Sequence, residues 1–201
     1  MSRYTWILDP GHGGVGPGGE YLTPGKRSPE VPPGIYEGEF NRQICSLVES
    51  LCLDYDTTTT NPGPVNCGLK ERTDYINGLQ KVRGNCILLS IHANASGRGG
   101  WSTVYGSTVF YHPKNKKGKP LAEWVLEAID QHTPMNITRG VKPSRFTILS
   151  KTRSMPGVLV ECGFMTNKSE ARFLASSDGQ SQIANAIFET IKTVELLKLF
   201  S

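Results

Sequence analysis

The chain has 201 residues, 37% of them hydrophobic, and a formal net charge of +4. A chain of this length can bury about 70% of its unfolded surface in a single domain, which excludes overall disorder. The charge excess is small, the densest basic stretch (Lys114, Lys116, Lys117, Lys119) reads as a solvated turn, and no apolar run reaches bilayer length, so neither nucleic-acid binding nor membrane insertion is expected.

In chain order, Tyr4–Leu8 reads as a short buried strand. Residues 9–36 are crowded with Gly and Pro and read as one long loop. From Glu37 to Leu53 the apolar residues Phe40, Ile44, Leu47, Val48 and Leu51 recur at helical spacing. Tyr55–Thr60 is β-branched and strand-like, and Asn61-Pro62-Gly63-Pro64 is a turn. A helix is expected over Leu69–Gln80, with Leu69, Thr73, Ile76 and Leu79 on one side. Cys86–Ile91 is a near-continuous apolar run, the pattern of a strand buried on both faces, and His92 stands at its end. Val104–Tyr111, Phe146–Leu149 and Val158–Val160 read as further strands, Pro120–Thr133 and Ser181–Phe200 as helices. Strands alternating with helices predict one α/β domain over residues 1–201, with a mainly parallel sheet of about six strands. No separate second domain is expected.

The first strand begins almost at the N-terminus, which leaves no room for a signal peptide ahead of it. The expectation is synthesis in the cytoplasm without an export signal; the alternative is an exported protein whose signal has been removed. The cysteines, Cys45, Cys52, Cys67, Cys86 and Cys162, are odd in number and contain no C-x-x-C pair. They are expected to pack as small apolar groups, with neither a disulfide framework nor a cysteine metal cluster.

In open α/β sheets, ligands bind beyond the carboxyl ends of strands. His12, His92 and Glu161 each follow a predicted strand, and Glu37 opens a helix on the same inward face as Phe40 and Ile44. Two imidazoles and a carboxylate with an open fourth position form a catalytic zinc arrangement, and a further carboxylate such as Glu161 can carry the proton transfers of amide hydrolysis. Taken one at a time, each residue also has a structural reading: a strand-end histidine is often a satisfied polar group, and a glutamate at a helix start complements the helix dipole. His112, before Pro113, is expected on the surface, and His132 near a helix C-terminus.

Five segments in order carry a stronger signal. They are Ile7-Leu8-Asp9-Pro10-Gly11-His12-Gly13-Gly14, Glu37-Gly38-Glu39-Phe40-Asn41, Leu69-Lys70-Glu71-Arg72 with Tyr75-Ile76-Asn77, Ser90-Ile91-His92-Ala93-Asn94-Ala95, and Val158–Asn167; Arg139-Gly140-Val141-Lys142 adds to them. Together they resemble the zinc-dependent N-acetylmuramoyl-L-alanine amidases of the amidase type 3 family, across nearly the whole chain. The resemblance implies a Zn2+ ion bound by His12, Glu37 and His92, Glu161 as the catalytic carboxylate, and peptidoglycan as substrate. Arg72 and Asn94 become candidates for supporting the ligands or touching substrate. With neither a signal peptide nor a separate wall-binding domain expected, the chain reads as a phage- or prophage-type endolysin acting on the wall after release; the alternatives are a bacterial wall-remodelling amidase whose signal peptide has been removed, and a non-catalytic wall-binding relative. The sequence departs from the family in the length of the Gly/Pro-rich loop between His12 and Glu37, and in Asn61-Pro62 after Thr57–Thr60, where the family has an arginine. A cysteine hydrolase built on Cys162 is disfavoured, because neighbours on a strand point to opposite faces.

Overall fold

The computed structural model describes residues 2–13, 18, 20–23, 26–61, 67–134 and 138–200. Gly14 of the His12 segment and residues 62–64 of the expected turn lie outside them. Six strands form one sheet: β1 (Thr5–Pro10), β2 (Asp56–Thr59), β3 (Cys86–Asn94), β4 (Ser107–Tyr111), β5 (Thr138–Pro143) and β6 (Gly157–Phe164). Their spatial order is β2-β1-β3-β6-β4-β5. Every neighbouring pair is parallel except β4 with β6, so β4 and β5 run against the other four. The predicted single-domain α/β fold with a mainly parallel six-stranded sheet is the one observed.

The helices are α1 (Glu37–Leu51), α2 (Leu69–Arg83), α3 (Gly118–His132), α4 (Thr147–Lys151), α5 (Lys168–Ala175) and α6 (Ser177–Leu197). The period-2 alternation of the strands divides the core. Trp6, Leu8, Ile87, Leu89, Ile91, Val160 and Cys162 face a large cluster shared with α1, α3 and α6. Ile7, Leu88 and Leu159 face a smaller one with Ile76 of α2 and Ile148 and Leu149 of α4. Both faces of β3 are therefore covered, which is why its sequence is apolar without alternation.

Four expectations change. Phe146–Leu149 is not a strand; Thr147–Lys151 is one helical turn and more, turning Ile148 and Leu149 inward. A four-residue apolar run carries no periodicity that separates the two. Conversely, Thr138–Pro143 is a strand that no apolar pattern announces, because it is the exposed outer edge of the sheet. The helix expected over Ser181–Phe200 is α6, which starts earlier, at Ser177, where the Ser176 hydroxyl accepts the Gly179 N–H at 3.0 Å, and α5 ahead of it was not expected. On α2 the buried residues are Arg72, Thr73 and Ile76, while Leu69 is 39% exposed. No helix among the described residues is long and apolar enough to cross a membrane.

Candidate active site

The parallel strands β1, β3 and β6 carry their carboxyl ends to one side, and the site is built there. β1 ends at Pro10, and the Gly11 N–H donates to the Ile91 carbonyl at 2.9 Å, tying the turn to β3. A Cβ on Gly11 would stand 2.1 Å from Cε1 of His92, so glycine is required for the His92 ring to lie where it does. His12 follows with φ +63°, a left-handed conformation that a non-glycine residue adopts only when its surroundings enforce it. Part of that enforcement comes from Asn41 of α1, whose amide donates to the Gly11 carbonyl at 2.8 Å.

Glu37 enters from the first turn of α1 and is buried. Gly38 lets the helix start pack against the turn, since a Cβ there would fall 1.9 Å from the Gly13 carbonyl oxygen. Glu37 Oε1 lies 3.3 Å from His12 Nε2 and 3.1 Å from His92 Nδ1, and accepts the Ala93 N–H at 3.3 Å. The two imidazoles cross edge-on with centroids 5.0 Å apart. One ligand atom from each of His12, Glu37 and His92 can be chosen so that all lie within 4.8 Å of one another. Burial pushes the Glu37 carboxyl up, but the hydrogen bonds and charges of the two histidines outweigh it and hold it at about 2. At neutral pH the site therefore presents an ionised carboxylate between two imidazoles, the protonation state and donor set that suit a divalent zinc ion.

Glu161 stands in β6, in register with His92, three residues before the strand ends and not at its end as the sequence reading had it. Its Oε2 is buried with no hydrogen-bond partner among the described residues. Burial, and then the charge of Glu37, raise its carboxyl to about 8, against a smaller opposing effect of Lys26. Cys162, the next residue, is fully buried on the opposite face, and burial pushes its thiol well above the ordinary cysteine range. All five thiols are free.

Beneath the turn lies a buried polar cluster that joins Arg72, a sequence candidate for supporting the ligands, to Asp9, to which sequence reasoning assigned no role. Asp9, 1% exposed, accepts from Ser90 Oγ at 2.6 Å, Thr60 Oγ1 at 2.7 Å and Arg72 Nη1 at 3.2 Å. Arg72 also donates to the Pro10 carbonyl at 3.3 Å. Arg72 thus holds the β1 terminus that carries His12. The signal was present in the Asp before Pro10-Gly11-His12, but nothing in one sequence pairs Asp9 with an arginine 63 positions on. Asn94 makes a turn contact: its Oδ1 accepts the Ala95 N–H at 2.8 Å. His112 is buried, not on the surface, because its Nδ1 accepts the Lys114 N–H and closes the turn after β4. His132 is exposed at the end of α3.

The family model described as N-acetylmuramoyl-L-alanine amidase matches residues 7–193. The chain is similar to N-acetylmuramoyl-L-alanine amidase LytC of Bacillus subtilis, 30% identical over 92% of this chain but only 34% of that protein. It is also similar to an endolysin of Bacillus phage SPP1, 28% identical over 98% of this chain and 68% of the phage protein. The chain therefore spans about a third of the bacterial relative and about two thirds of the phage one. Among solved structures, an N-acetylmuramoyl-L-alanine amidase from Clostridium difficile 630 superposes with a TM-score of 0.79 at 28% identity, over 96% of this chain and 97% of that one. With a match that runs from β1 into α6, the chain belongs to the N-acetylmuramoyl-L-alanine amidase family.

Proposed function

We propose that the chain hydrolyses the amide bond between N-acetylmuramic acid and L-alanine in peptidoglycan, with zinc held by His12, Glu37 and His92. The observation that carries the reading is the convergence of these three side chains at one end of the sheet that also holds Glu161. Zinc bound there supplies Lewis acidity toward the amide carbonyl and toward water.

The chain's own residues supply the rest. Glu37, ionised and clamped by both histidines, contributes negative charge and fixes the two rings at one angle. His12 and His92 offer imidazole nitrogens as ligands. Glu161 is the proton carrier: a carboxyl raised toward neutrality takes a proton from water and returns it to the leaving amine with little penalty in either direction. Its unpartnered Oε2 leaves an acceptor atom available for that exchange. Asp9, Arg72 and Asn41 do not touch the reacting atoms; they hold the turn that carries His12.

Similarity to the phage endolysin supports a lytic role, in which the chain is made in the cytoplasm and reaches the wall after release. Similarity to the Bacillus subtilis amidase favours a second reading, a bacterial wall-remodelling enzyme. Both share one chemistry, and mass spectrometry of digested walls tests it. The expected products are new alanine amino termini and intact glycan strands. New reducing sugar ends, or cuts confined to the stem peptide, would place the enzyme in another class.

A further inference from the structure

The amidase reading leaves one large surface feature unused. Residues 101–122 and 131–160 contain no Asp or Glu, yet they hold nine of the chain's 22 Lys and Arg residues. The two stretches are apart in sequence and together in space. β4 pairs with β5, the Ser144 N–H donates to the Tyr111 carbonyl at 2.8 Å, and Asn115 donates to the Met155 carbonyl. The lysine-rich turn after β4 therefore lies beside the basic segment around α4.

Three of the nine cations have partners: Lys117 donates to the Phe200 carbonyl, Lys119 pairs with Glu123, and Arg139 reaches the Tyr105 carbonyl. Lys114, Lys116, Lys142, Arg145, Lys151 and Arg153 are exposed and enter no ion pair among the described residues. Their grouping is felt at His112, whose pKa is lowered by burial and then by Arg153, Arg145 and Lys114. Lys151 and Arg153 line a hollow of about 440 Å³ with Ser150 and Ser154, and Ser154 continues into a cleft of about 500 Å³ that includes Lys117 and Arg3. The turn that presents Lys114 and Lys116 is fixed, because Asn115 Oδ1 accepts the N–H groups of Lys117 and Gly118 at 3.1 and 3.0 Å.

The position of the patch matters as much as its charge. β4 runs antiparallel to β6, with Thr108 opposite Glu161 and Tyr111 opposite Val158. Following β4 away from Glu161 therefore leads toward the far end of the sheet, where Lys142 stands opposite Phe110 and the turn with Lys114 and Lys116 follows Tyr111; Lys142 is about 7 Å and that turn about 10 Å or more along the strand from the level of Glu161. Cations spread over one face, without one deep pocket, match a chain of anions and not a single small one. Guanidinium and ammonium groups together suit phosphate oxygens. Phe146, the exposed aromatic beside Arg145, packs edge-on against Phe110 with centroids 5.1 Å apart, and so does not stand free as a base-stacking platform.

We propose that this face is a docking surface for a phosphodiester-linked anionic polymer of the bacterial wall, a partner class that rests on the amidase reading above. Docking at the end opposite the site leaves the catalytic groups free and holds the enzyme at high local concentration over a repeating substrate.

The test compares purified walls bearing their native phosphodiester polymers with the same walls stripped of them by hydrofluoric acid. The protein is wild type or the fourfold variant K142Q/R145Q/K151Q/R153Q, none of which touches the site. Wild type should bind native walls at least about tenfold more tightly than stripped walls. That advantage should collapse in the variant, and in wild type as salt rises from about 50 to about 200 mM. Hydrolysis of soluble wall fragments should be unchanged in the variant, which also shows that it is folded. Equal wild-type binding to both walls, or a variant that keeps the preference, would overturn the proposal. Tighter binding to a short DNA duplex than to native walls would replace the partner with a nucleic acid. Failure of wild type to cleave soluble fragments would refute the amidase reading instead, and the binding result would be read separately.

Discussion

At the scale of single residues, the proposed chemistry depends on two carboxyls driven in opposite directions. Glu37 is held at about 2 by two histidines although burial opposes it, while Glu161 is raised to about 8 by burial and by Glu37 itself. In the proposed mechanism this divergence separates the roles: one carboxylate stays charged, the other exchanges protons. It also makes a stability prediction for the chelated, metal-free protein. A carboxyl whose folded pKa lies above its ordinary 4.5 binds its proton more tightly when folded, so it disfavours the fold progressively from about pH 4.5 up to about 8. The penalty at the top of that window is on the order of a few kcal/mol. Glu161→Gln cannot ionise, so the variant should lose less stability than wild type between pH 5 and 8, read by urea unfolding at each pH. Parallel pH dependence in the two proteins would show that Glu161 is not raised.

At the scale of elements, the site is assembled from the end of β1, the start of α1, the end of β3 and the body of β6, and α2 supports the first of these from behind. Arg72 is the link: it is buried, it donates to Asp9 and to the Pro10 carbonyl, and Asp9 keeps only Thr60 and Ser90 without it. Arg72→Ala leaves a buried carboxylate short of its charge partner and should cost about 3–5 kcal/mol. Thermal unfolding should show it, and the double variant Arg72→Met with Asp9→Leu should regain part of the loss. A loss below about 0.5 kcal/mol in Arg72→Ala would show that the pair carries no structural weight. The elements also mark what could be read from the sequence. α1 and β3 were legible because each buries a long stripe or run, and they place Glu37 and His92 beside the turn after β1 that carries His12. β5 was not, since this edge strand packs only Val141 against the core and is otherwise largely exposed, too little for a pattern to show. The helical state of α4 and the depth of Glu161 within β6 were hidden in short apolar runs that fit strand and helix alike. The Asp9–Arg72 pair was hidden by sequence distance, and the basic face of β4, β5 and α4 by being divided between two segments.

At the scale of the molecule, the sheet separates two functions of burial. One face, with α1, α3 and α6, is apolar core and takes Cys162; the carboxyl ends of the parallel strands, with the start of α1, carry the candidate site. Cys162→Ser should therefore lower stability, by about 1–3 kcal/mol for a hydroxyl placed in an apolar cluster, and leave wall hydrolysis largely intact at a temperature where the variant is folded. Loss of turnover in a folded, zinc-loaded Cys162→Ser protein would reinstate a thiol mechanism.

The central claim is that His12, Glu37 and His92 hold zinc while Glu161 moves protons without being needed to hold it. One preparation of Glu161→Gln, assayed for zinc content and for wall hydrolysis together, tests both halves. Gln keeps the size and hydrogen-bonding reach of Glu but accepts no proton at neutral pH. The account predicts one zinc per chain and a rate lowered by roughly 10²–10⁴-fold, the usual scale for losing a general acid–base. Near-normal turnover, or loss of the metal, would contradict it.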